Sequence, residues 1–282
     1  MKLFGLLVRL LDKESLKKPI MKKYLVMSLV ALVAVTMTSC LHVKIGDKDW
    51  SIGDGHKNDT PTQVHQVQQV TEMQPFDKVN LAGPIDVIVE QGENHTVRVE
   101  ATTEQLEKMT IYVENGGLYV DQRKSEHGKT FDGVKVFVSI PMMKSMSIAG
   151  SGDITVPKSL NVGDLGISIA GTGDVTIAQL KCLDLNISIA GTGDVTMGPV
   201  LANVVKCDVA GTGDIDFAGL TCKTLDNSIA GTGDMTYNNL DVESVNSSIA
   251  GMGDVILRGK AGSHKESVAG LGSVDVSGLT QK

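Results

Sequence analysis

One aspartate position recurs along the chain and is the clearest source of chemistry in the sequence. In each copy it directly follows the second glycine of a short Gly-x-Gly-Asp stretch, and the copies lie 20 or 21 residues apart. Its members are Asp153, Asp174, Asp194, Asp214, Asp234 and Asp254. If the copies stack as neighbouring strands, about 4.8 Å apart, six carboxylates share one column and repel one another. The fold must therefore supply a compensating partner.

Two partners fit carboxylates in a repeated turn. Each carboxylate can accept hydrogen bonds from backbone N–H groups of its own turn, as Asx residues do. Bound Ca²⁺ along the column is the alternative. Calcium-binding β-rolls repeat a Gly-Gly-x-Gly-x-Asp unit of about nine residues, whereas the period here is about 20 residues. We therefore predict a hydrogen-bonded column with no metal and no cofactor, and keep Ca²⁺ as the less favoured hypothesis.

Hydroxyl side chains form a second recurring position, two residues before the aspartate. They are Ser151, Thr172, Thr192, Thr212 and Thr232, followed by Met252 and Leu271 in the last two copies. Such a ladder could serve as a carbohydrate-binding or surface-pairing strip. Because threonine also favours β-structure by itself, we predict a structural, solvent-facing ladder.

Histidines and cysteines suggest no metal or disulfide site. His42, His56 and His65 are irregularly spaced with no cysteine close by, so they are expected to be solvated. Cys182 and Cys222 occupy the same repeat position two coils apart, which is roughly 9–10 Å by strand spacing and beyond disulfide reach. Cys207 lies at another position, and all three are expected to be small buried apolar residues.

Enzyme classes find little support in the sequence. No Ser-His-Asp set or metal triad is recognisable. A β-helical polysaccharide lyase would need basic groups clustered near its acids, but the lysines of the repeats are scattered over different positions: Lys158, Lys181, Lys206 and Lys223. We therefore predict no catalytic residues, with a polysaccharide-active enzyme as the less favoured hypothesis.

The element that must position these residues is a repeat. Near-copies of Ile-Ala-Gly-Thr-Gly-Asp-Val begin at Ile148, Ile169, Ile189, Val209, Ile229, Ile249 and Val268. Seven short, β-rich copies at a fixed period predict an all-β parallel β-solenoid with coils of about 20 residues. Counting the first Ile or Val as position 0, apolar residues recur at positions 0, 6, 8, 11 and 16 and should point inward. Glycines at positions 2 and 4 are expected where the corner needs a positive φ.

The segments before the repeats have distinct compositions. Residues 1–39 are typical of a signal peptide, in which 1–20 are an extended or misassigned start. Thr38 and Ser39 precede Cys40 as in a bacterial lipobox, so Cys40 is the predicted lipidated N-terminus of the mature protein. Residues 40–75 are predicted to be a flexible tether. Residues 76–146 should form a β-rich segment that caps the solenoid, which then spans 147–282.

The charge distribution excludes some partners. Residues 1–39 carry seven basic and two acidic side chains, which leaves 19 basic and 31 acidic residues for 40–282. A body with this net charge of −12 is not expected to bind nucleic acid or anionic lipid through bulk charge. The predicted membrane contact is therefore the N-terminal lipid.

Several features together resemble one family. They are the lipobox-like leader, the start Phe76-Asp77-Lys78-Val79, Val120-Asp121 closing a Gly-Gly hairpin, and the Ser-Ile-Ala-Gly-x-Gly-Asp-Val repeat. In these the chain is similar to the auto-transporter adhesin, head GIN domain family over about residues 75–280. The resemblance implies a right-handed β-helix-like body on an envelope-anchored bacterial protein, and brings no catalytic residues.

Two functions follow as hypotheses. The first is a non-enzymatic outer membrane lipoprotein with an adhesin-like body that binds a glycan or a protein. The second is a periplasmic scaffolding module that binds another envelope protein. The sequence after Cys40 does not decide which face of the outer membrane carries the body.

Overall fold

A computed structural model describes the main chain of residues 66–70 and the full residues 73–122 and 133–282. The predicted signal peptide, the Cys40 lipidation site and the tether up to residue 65 lie outside the described residues. The three histidines of that region lie outside them as well.

The described residues are built almost wholly of strands. The N-terminal segment contains β1 (Gln66–Val70), β2 (Lys78–Ala82), β3 (Asp86–Gln91), β4 (Thr96–Ala101), α1 (Thr103–Lys108), β5 (Met109–Glu114), β6 (Gly117–Gln122), β7 (Lys135–Ile140) and β8 (Ser145–Ile148). The repeats contain β9 (Ile154–Asn161), β10 (Leu165–Ile169), β11 (Val175–Lys181), β12 (Asp184–Ile189), β13 (Val195–Leu201), β14 (Val204–Val209), β15 (Ile215–Ile229), β16 (Met235–Ile249), β17 (Val255–Val268) and β18 (Val274–Gln281).

The repeats stack as parallel strands in register, one coil above the next. Position 8 illustrates the register, because Ile177 pairs with Met197, Met197 with Phe217 and Phe217 with Tyr237. Successive partners are 20 residues apart, so like residues lie over like. The predicted all-β solenoid of about 20-residue coils, with about seven turns, is confirmed.

Each coil turns three corners around an apolar centre. Along β15 the side chains alternate between buried and exposed, but the alternation breaks at Ala218–Gly219 and at Lys223–Thr224, where two successive residues face outward. The third corner is the glycine stretch that follows Ile229. Two successive outward side chains in an otherwise alternating strand indicate that the strand bends around the core at that point.

The predicted inward columns are buried, and two further columns join them. Positions 0, 6, 8, 11 and 16 line the core through most of the stack, and exposure rises only in the last coil. Position 13 adds Val162, Cys182, Ala202, Cys222 and Val242. Position 18 adds Ile167, Ile187, Cys207, Asn227 and Ser247. The core therefore holds small and polar side chains alongside the aliphatic ones.

The reason expected for the corner glycines is wrong for nearly all of them. Among the corner glycines, φ is in the left-handed region only at Gly83 (121°) and Gly270 (156°). Elsewhere the requirement is close approach between coils. At Gly211 an added Cβ would lie far inside van der Waals contact with the carbonyl oxygen of Gly191, one coil earlier. Backbone packs on backbone at this corner, and only glycine, which has no side chain, leaves room for that contact.

The N-terminal segment covers the first coil. Residues 80–89 contain a degenerate copy of the repeat, in which Pro84 replaces the threonine. Because β2 pairs in parallel with β8, and β3 pairs with both β7 and β9, this copy forms an additional coil. The predicted hairpin joins β5 to β6, with Asn115 (φ 50°) and Gly116 (φ 73°) at its turn. A short helix, α1, follows β4 and is capped by reciprocal bonds between Thr102 and Gln105.

The tether is shorter than its composition indicates. Residues 66–70, which the sequence analysis assigned to the flexible segment 40–75, form β1 and pair antiparallel with β4. The pairing uses main-chain groups, so a Gln-rich segment can join an existing sheet edge without an apolar pattern of its own. Composition alone does not reveal such a strand.

The C-terminal coil carries polar residues in columns that are apolar elsewhere. His264 is in register with Val245, and Glu266 is in register with the buried Ser247. The carboxylate of Glu266 lies 3.7 Å from Nε2 of His264. Repeat proteins use such a polar last coil to end a stack in water.

Candidate functional site

The aspartate column is a hydrogen-bonded ladder that runs between coils. Oδ1 of Asp174 accepts the backbone N–H of Asp194 at 2.8 Å, and Oδ1 of Asp194 accepts that of Asp214 at the same distance. The bonds at the other steps are equivalent, from the Asp174 N–H on Asp153 to the Asp254 N–H on Asp234. The expected partner type is therefore present, but the donor belongs to the next coil and not to the same turn.

The ladder begins before the seven repeats and ends in the last of them. Asp86, in the degenerate copy, accepts the N–H of Asp153 at 3.3 Å. At the other end Ser273 donates both its N–H and its hydroxyl to Oδ1 of Asp254, at 2.7 and 2.9 Å. The sequence analysis did not assign Asp86 to the column, because Pro84 and Ile85 replace the residues that mark the motif.

Charge repulsion in the column is offset by these charge-assisted bonds. Each carboxylate has one oxygen engaged, and the aspartates line the surface. Among the described residues, no group of three or more His, Cys, Asp or Glu side chains is arranged to hold a metal ion. The column is thus explained by hydrogen bonding between coils, and Ca²⁺ stays the alternative to be tested.

Asp194→Ala should cost about 1 kcal/mol of stability, because one charge-assisted bond is lost while the freed N–H of Asp214 lies near solvent. The loss should appear as a lower urea midpoint followed by circular dichroism. Adding Ca²⁺ or a chelator to the unmodified protein should leave the midpoint unchanged. A midpoint that rises sharply with Ca²⁺ and collapses with chelator would establish the metal instead.

The hydroxyl ladder lies outside the core, as expected. Thr172, Thr192, Thr212 and Thr232 are exposed, and so are Met252 and Leu271 that replace threonine in the last two coils. A second outward column follows the aspartates at position 7 and contains Thr176, Thr196, Asp216 and Thr236.

Asp216 is the acidic exception in this second column. Partial burial raises the pKa of its carboxyl, and the negative charges of Asp214, Asp194 and Asp234 raise this pKa further. A hydrogen bond from Thr236 lowers the pKa but does not cancel the increase. The folded state therefore holds this proton to higher pH than the unfolded chain does. It follows that Asp216 favours folding at low pH, and that this contribution is lost as the pH rises through the raised pKa.

The three described cysteines are free and buried, as predicted. Burial raises the thiol pKa of Cys182 to about 11 and those of Cys207 and Cys222 to about 12. At neutral pH they are therefore protonated and unreactive. They act as small core side chains.

A polar network crosses the core near its C-terminal half. The Tyr237 hydroxyl donates to Oδ1 of Asn227 at 2.6 Å, and Nδ2 of Asn227 donates to the Ser247 hydroxyl at 3.3 Å. The Tyr237 ring stacks on Phe217 with centroids 5.0 Å apart. Burial raises the tyrosine pKa well above its usual value, so the hydroxyl remains a neutral donor. The network satisfies the buried polar groups of Tyr237, Asn227 and Ser247.

A shallow groove runs along one outer face, parallel to the solenoid axis. It is an open depression of about 230 Å³ over the second halves of β15, β16 and β17. On one side lie Asp226, Asn246 and Lys265, which are in register at position 17, and on the other lie Ser248 and Ser267 at position 19. Nδ2 of Asn246 donates to Oδ1 of Asp226 at 2.7 Å. We call this depression the axial groove; the sequence analysis did not identify it.

The described histidines contact an aromatic ring and a carboxylate. His95 packs edge-on against the Phe76 ring at 5.1 Å, and His264 lies beside Glu266. Within the described ranges no hydrogen bond joins either ring to a serine hydroxyl or a thiol. The predicted absence of catalytic residues stays a prediction for the whole chain.

Comparison with protein families gives one match. The family described as "Putative auto-transporter adhesin, head GIN domain" matches residues 75–241. That range contains the N-terminal segment from β2 onward, the first four repeats and the first part of the fifth. None of the functionally curated proteins matches the chain.

Solved structures share the fold at low identity. A putative adhesin from Bacteroides fragilis NCTC 9343 is 23% identical, with a TM-score of 0.71 over 76% of this chain and 97% of that one. A putative lipid binding protein from Parabacteroides distasonis ATCC 8503 is 18% identical, with a TM-score of 0.63 over 77% and 96%. A putative adhesin from Parabacteroides merdae ATCC 43184 is 18% identical, with a TM-score of 0.58 over 74% and 95%. These likenesses concern the fold alone.

The helical content bears on membrane contact. Across the described ranges, no helix is both long and apolar enough to span a bilayer.

Proposed function

This chain belongs to the family described as putative auto-transporter adhesin, head GIN domain, and we propose that it is a non-enzymatic lipoprotein of the bacterial cell envelope whose β-solenoid body binds a glycan or protein ligand. Cys40 carries the lipid in this proposal, residues 41–65 form the tether, and the body begins at β1. The protein sits in the outer membrane, and its activity is recognition.

The observation that carries the proposal is the regularity of the outer faces. Because the coils stack in parallel and in register, similar side chains recur at the spacing between neighbouring strands. Each outward column therefore offers a linear array of similar groups. The columns are supported by a packed core and by the aspartate ladder. Repeat proteins commonly use such extended, rigid surfaces for binding. The aspartates of the column are engaged in hydrogen bonds between coils, and the three described cysteines are buried and protonated, which supports binding over catalysis.

Membrane attachment can be tested at Cys40. Cys40→Ala removes the only thiol available for lipidation in the leader, so the protein should move from the membrane fraction to the soluble fraction. The matched control is Cys182→Ala, which alters a buried thiol of the core and should leave fractionation unchanged. Continued membrane association of the Cys40→Ala protein would overturn the lipoprotein assignment.

The side of the outer membrane can be tested by protease shaving of intact cells. If the body acts as an adhesin on the cell surface, cleavage within residues 41–65 should release it into the medium. Full protection until the outer membrane is broken would place the body in the periplasm. That outcome would favour the second function, a scaffolding module.

One observation favours a protein partner for that second function. Leu183, Leu201 and Val204 are 55%, 48% and 37% exposed and lie on adjacent coils, since both Asn203 and Val204 donate their N–H groups to the Leu183 carbonyl. An apolar cluster on a polar corner is typical of contact with another protein. Crosslinking in intact cells, compared between the unmodified protein and Leu183→Ser, would reveal such a partner.

A further inference from the structure

We propose that the axial groove binds a polysaccharide chain, laid parallel to the solenoid axis along the outer face of positions 17 and 19. The inference rests on the proposed binding function and specifies its ligand class and its site. It depends on three observations: the groove itself, the columns that continue it and an aromatic pair at their far end.

The groove offers the polar groups that recognise sugar hydroxyls. A sugar hydroxyl is both a donor and an acceptor, and a recognition site pairs it with groups of fixed direction. The bond from Asn246 to Asp226 uses one N–H and one carboxylate oxygen. It leaves the second amide N–H, the amide oxygen and the second carboxylate oxygen for a ligand. Lys265, next in the column, adds an ammonium donor, and Ser248 and Ser267 add hydroxyls across the groove.

The shape of the groove favours a polymer over a small molecule. Pockets that enclose a small ligand are typically about 300–1,000 Å³ and bury most of its surface. At about 230 Å³ and open to solvent, the groove can cover only one side of a unit of a longer chain. A chain that touches several such places gains affinity from repeated weak contacts, because each later contact is intramolecular.

The columns beyond the groove continue the same surface. Position 19 carries a hydroxyl or carboxylate in every coil: Ser147, Ser168, Ser188, Asp208, Ser228, Ser248 and Ser267. Their spacing equals the strand spacing, about 4.8 Å, which is close to the length of one pyranose ring along an extended chain. Successive sugars can therefore meet successive coils.

Two stacked tyrosines stand at the far end of the position 19 column. The register continues from Ser147 to Asn80, Tyr119 and Tyr112. The two rings are 5.0 Å apart and nearly parallel, at 10°, and both are partly exposed. An aromatic surface can pack against the apolar C–H face of a sugar ring. The aromatic pair and the polar groove thus lie along one line.

The chemistry of this face favours a neutral polysaccharide over a protein or a charged polymer. Positions 17 and 19 of the described coils carry no large apolar side chain, whereas protein interfaces depend on buried aromatic and aliphatic anchors. Acids and bases are mixed on this face, so it offers no block of one charge to a charged polymer. Lys206 pairs with Asp208 at 3.1 Å, and the groove holds Asp226 and Glu266 together with Lys265.

The test is native affinity electrophoresis of the full-length protein in detergent, in gels containing glycogen, laminarin, yeast mannan or, as an acidic comparison, alginate. We expect retardation by at least one of the three neutral polysaccharides. The Asp226→Ala/Asn246→Ala double variant should weaken that binding at least tenfold, and Tyr119→Ala should weaken it severalfold. The control double variant Asp164→Ala/Asn203→Ala removes an exposed acid and an exposed amide from another corner and should bind as the unmodified protein does.

Three results would overturn the inference. The first is no retardation in any gel, and the second is equal binding by the groove and control variants. The third is retardation by alginate alone that disappears with salt, which would indicate charge attraction only. The anchoring and shaving experiments do not depend on these results. Membrane-anchored protein that fails in every gel would therefore contradict the polysaccharide site and leave the envelope assignment intact.

Discussion

Gly211→Ala should lower the free energy of unfolding by about 3 kcal/mol or more. The added methyl group would overlap the Gly191 carbonyl oxygen, which is main chain and cannot rotate away. The coil must therefore separate from its neighbour at the glycine corner, where the N–H of Thr212 bonds to the Gly191 carbonyl at 3.0 Å. Urea unfolding followed by circular dichroism should show a large fall in the midpoint, or two transitions if the stack divides at this coil.

The matched control is Gly163→Ala. An added Cβ at Gly163 has no atom within 4 Å, and φ at this position is not in the left-handed region. This substitution should change stability by less than about 0.5 kcal/mol and favour folding slightly, since it restricts the unfolded chain. Equal losses for the two variants would mean that backbone flexibility, and not contact between coils, explains the glycines.

Tyr237→Phe should cost about 1–3 kcal/mol, the penalty for leaving a buried acceptor without its donor. The ring and its stacking on Phe217 are retained, but Oδ1 of Asn227 loses the 2.6 Å bond from the hydroxyl. Asn227 is only 4% exposed, so water has little access to replace it. Thermal unfolding monitored by circular dichroism should show the difference.

A second substitution distinguishes the hydrogen bond from packing. Asn227→Ile in the Tyr237→Phe protein should recover most of the loss, because Ile187 fills the same column two coils earlier. Tyr112→Phe is the control, since this ring lies on the outer surface and should tolerate loss of its hydroxyl. A Tyr237→Phe protein as stable as the unmodified one would show that the network is not needed to satisfy Asn227.

The sequence predicted those parts of the fold that depend on a repeating residue type. Positions 6 and 8 are apolar in every copy, so their columns could be assigned from the hydropathy pattern of the repeats alone. Positions 13 and 18 are equally buried but mix Cys, Ala, Asn, Ser and aliphatic residues. A mixed column has no hydropathy signal, and its burial depends on neighbours above and below it.

The candidate sites were harder to predict, because their partners come from other coils. The aspartates were recognised as a column. The donor to each carboxylate, however, is the backbone N–H of the next coil, which cannot be predicted from the sequence of a single turn. The axial groove combines Asp226, Asn246 and Lys265, three different residue types at one position. Only the register brings them together. The β1 strand was missed for a similar reason. An edge strand can form through main-chain pairing with its neighbour, without an alternating hydropathy pattern in its own sequence.

The aspartate ladder also has a direction. Each carboxylate accepts an N–H group supplied by the coil that follows it in the chain, from Asp86 onward. A chain that emerges from an export channel N-terminus first therefore completes one coil's bonds each time it adds the next. Ser273 ends the series, because it gives Asp254 two donors and adds no carboxylate of its own. In a chain that folded from its N-terminus, the ladder would thus grow coil by coil, from a first acceptor at Asp86 to a last acceptor at Asp254.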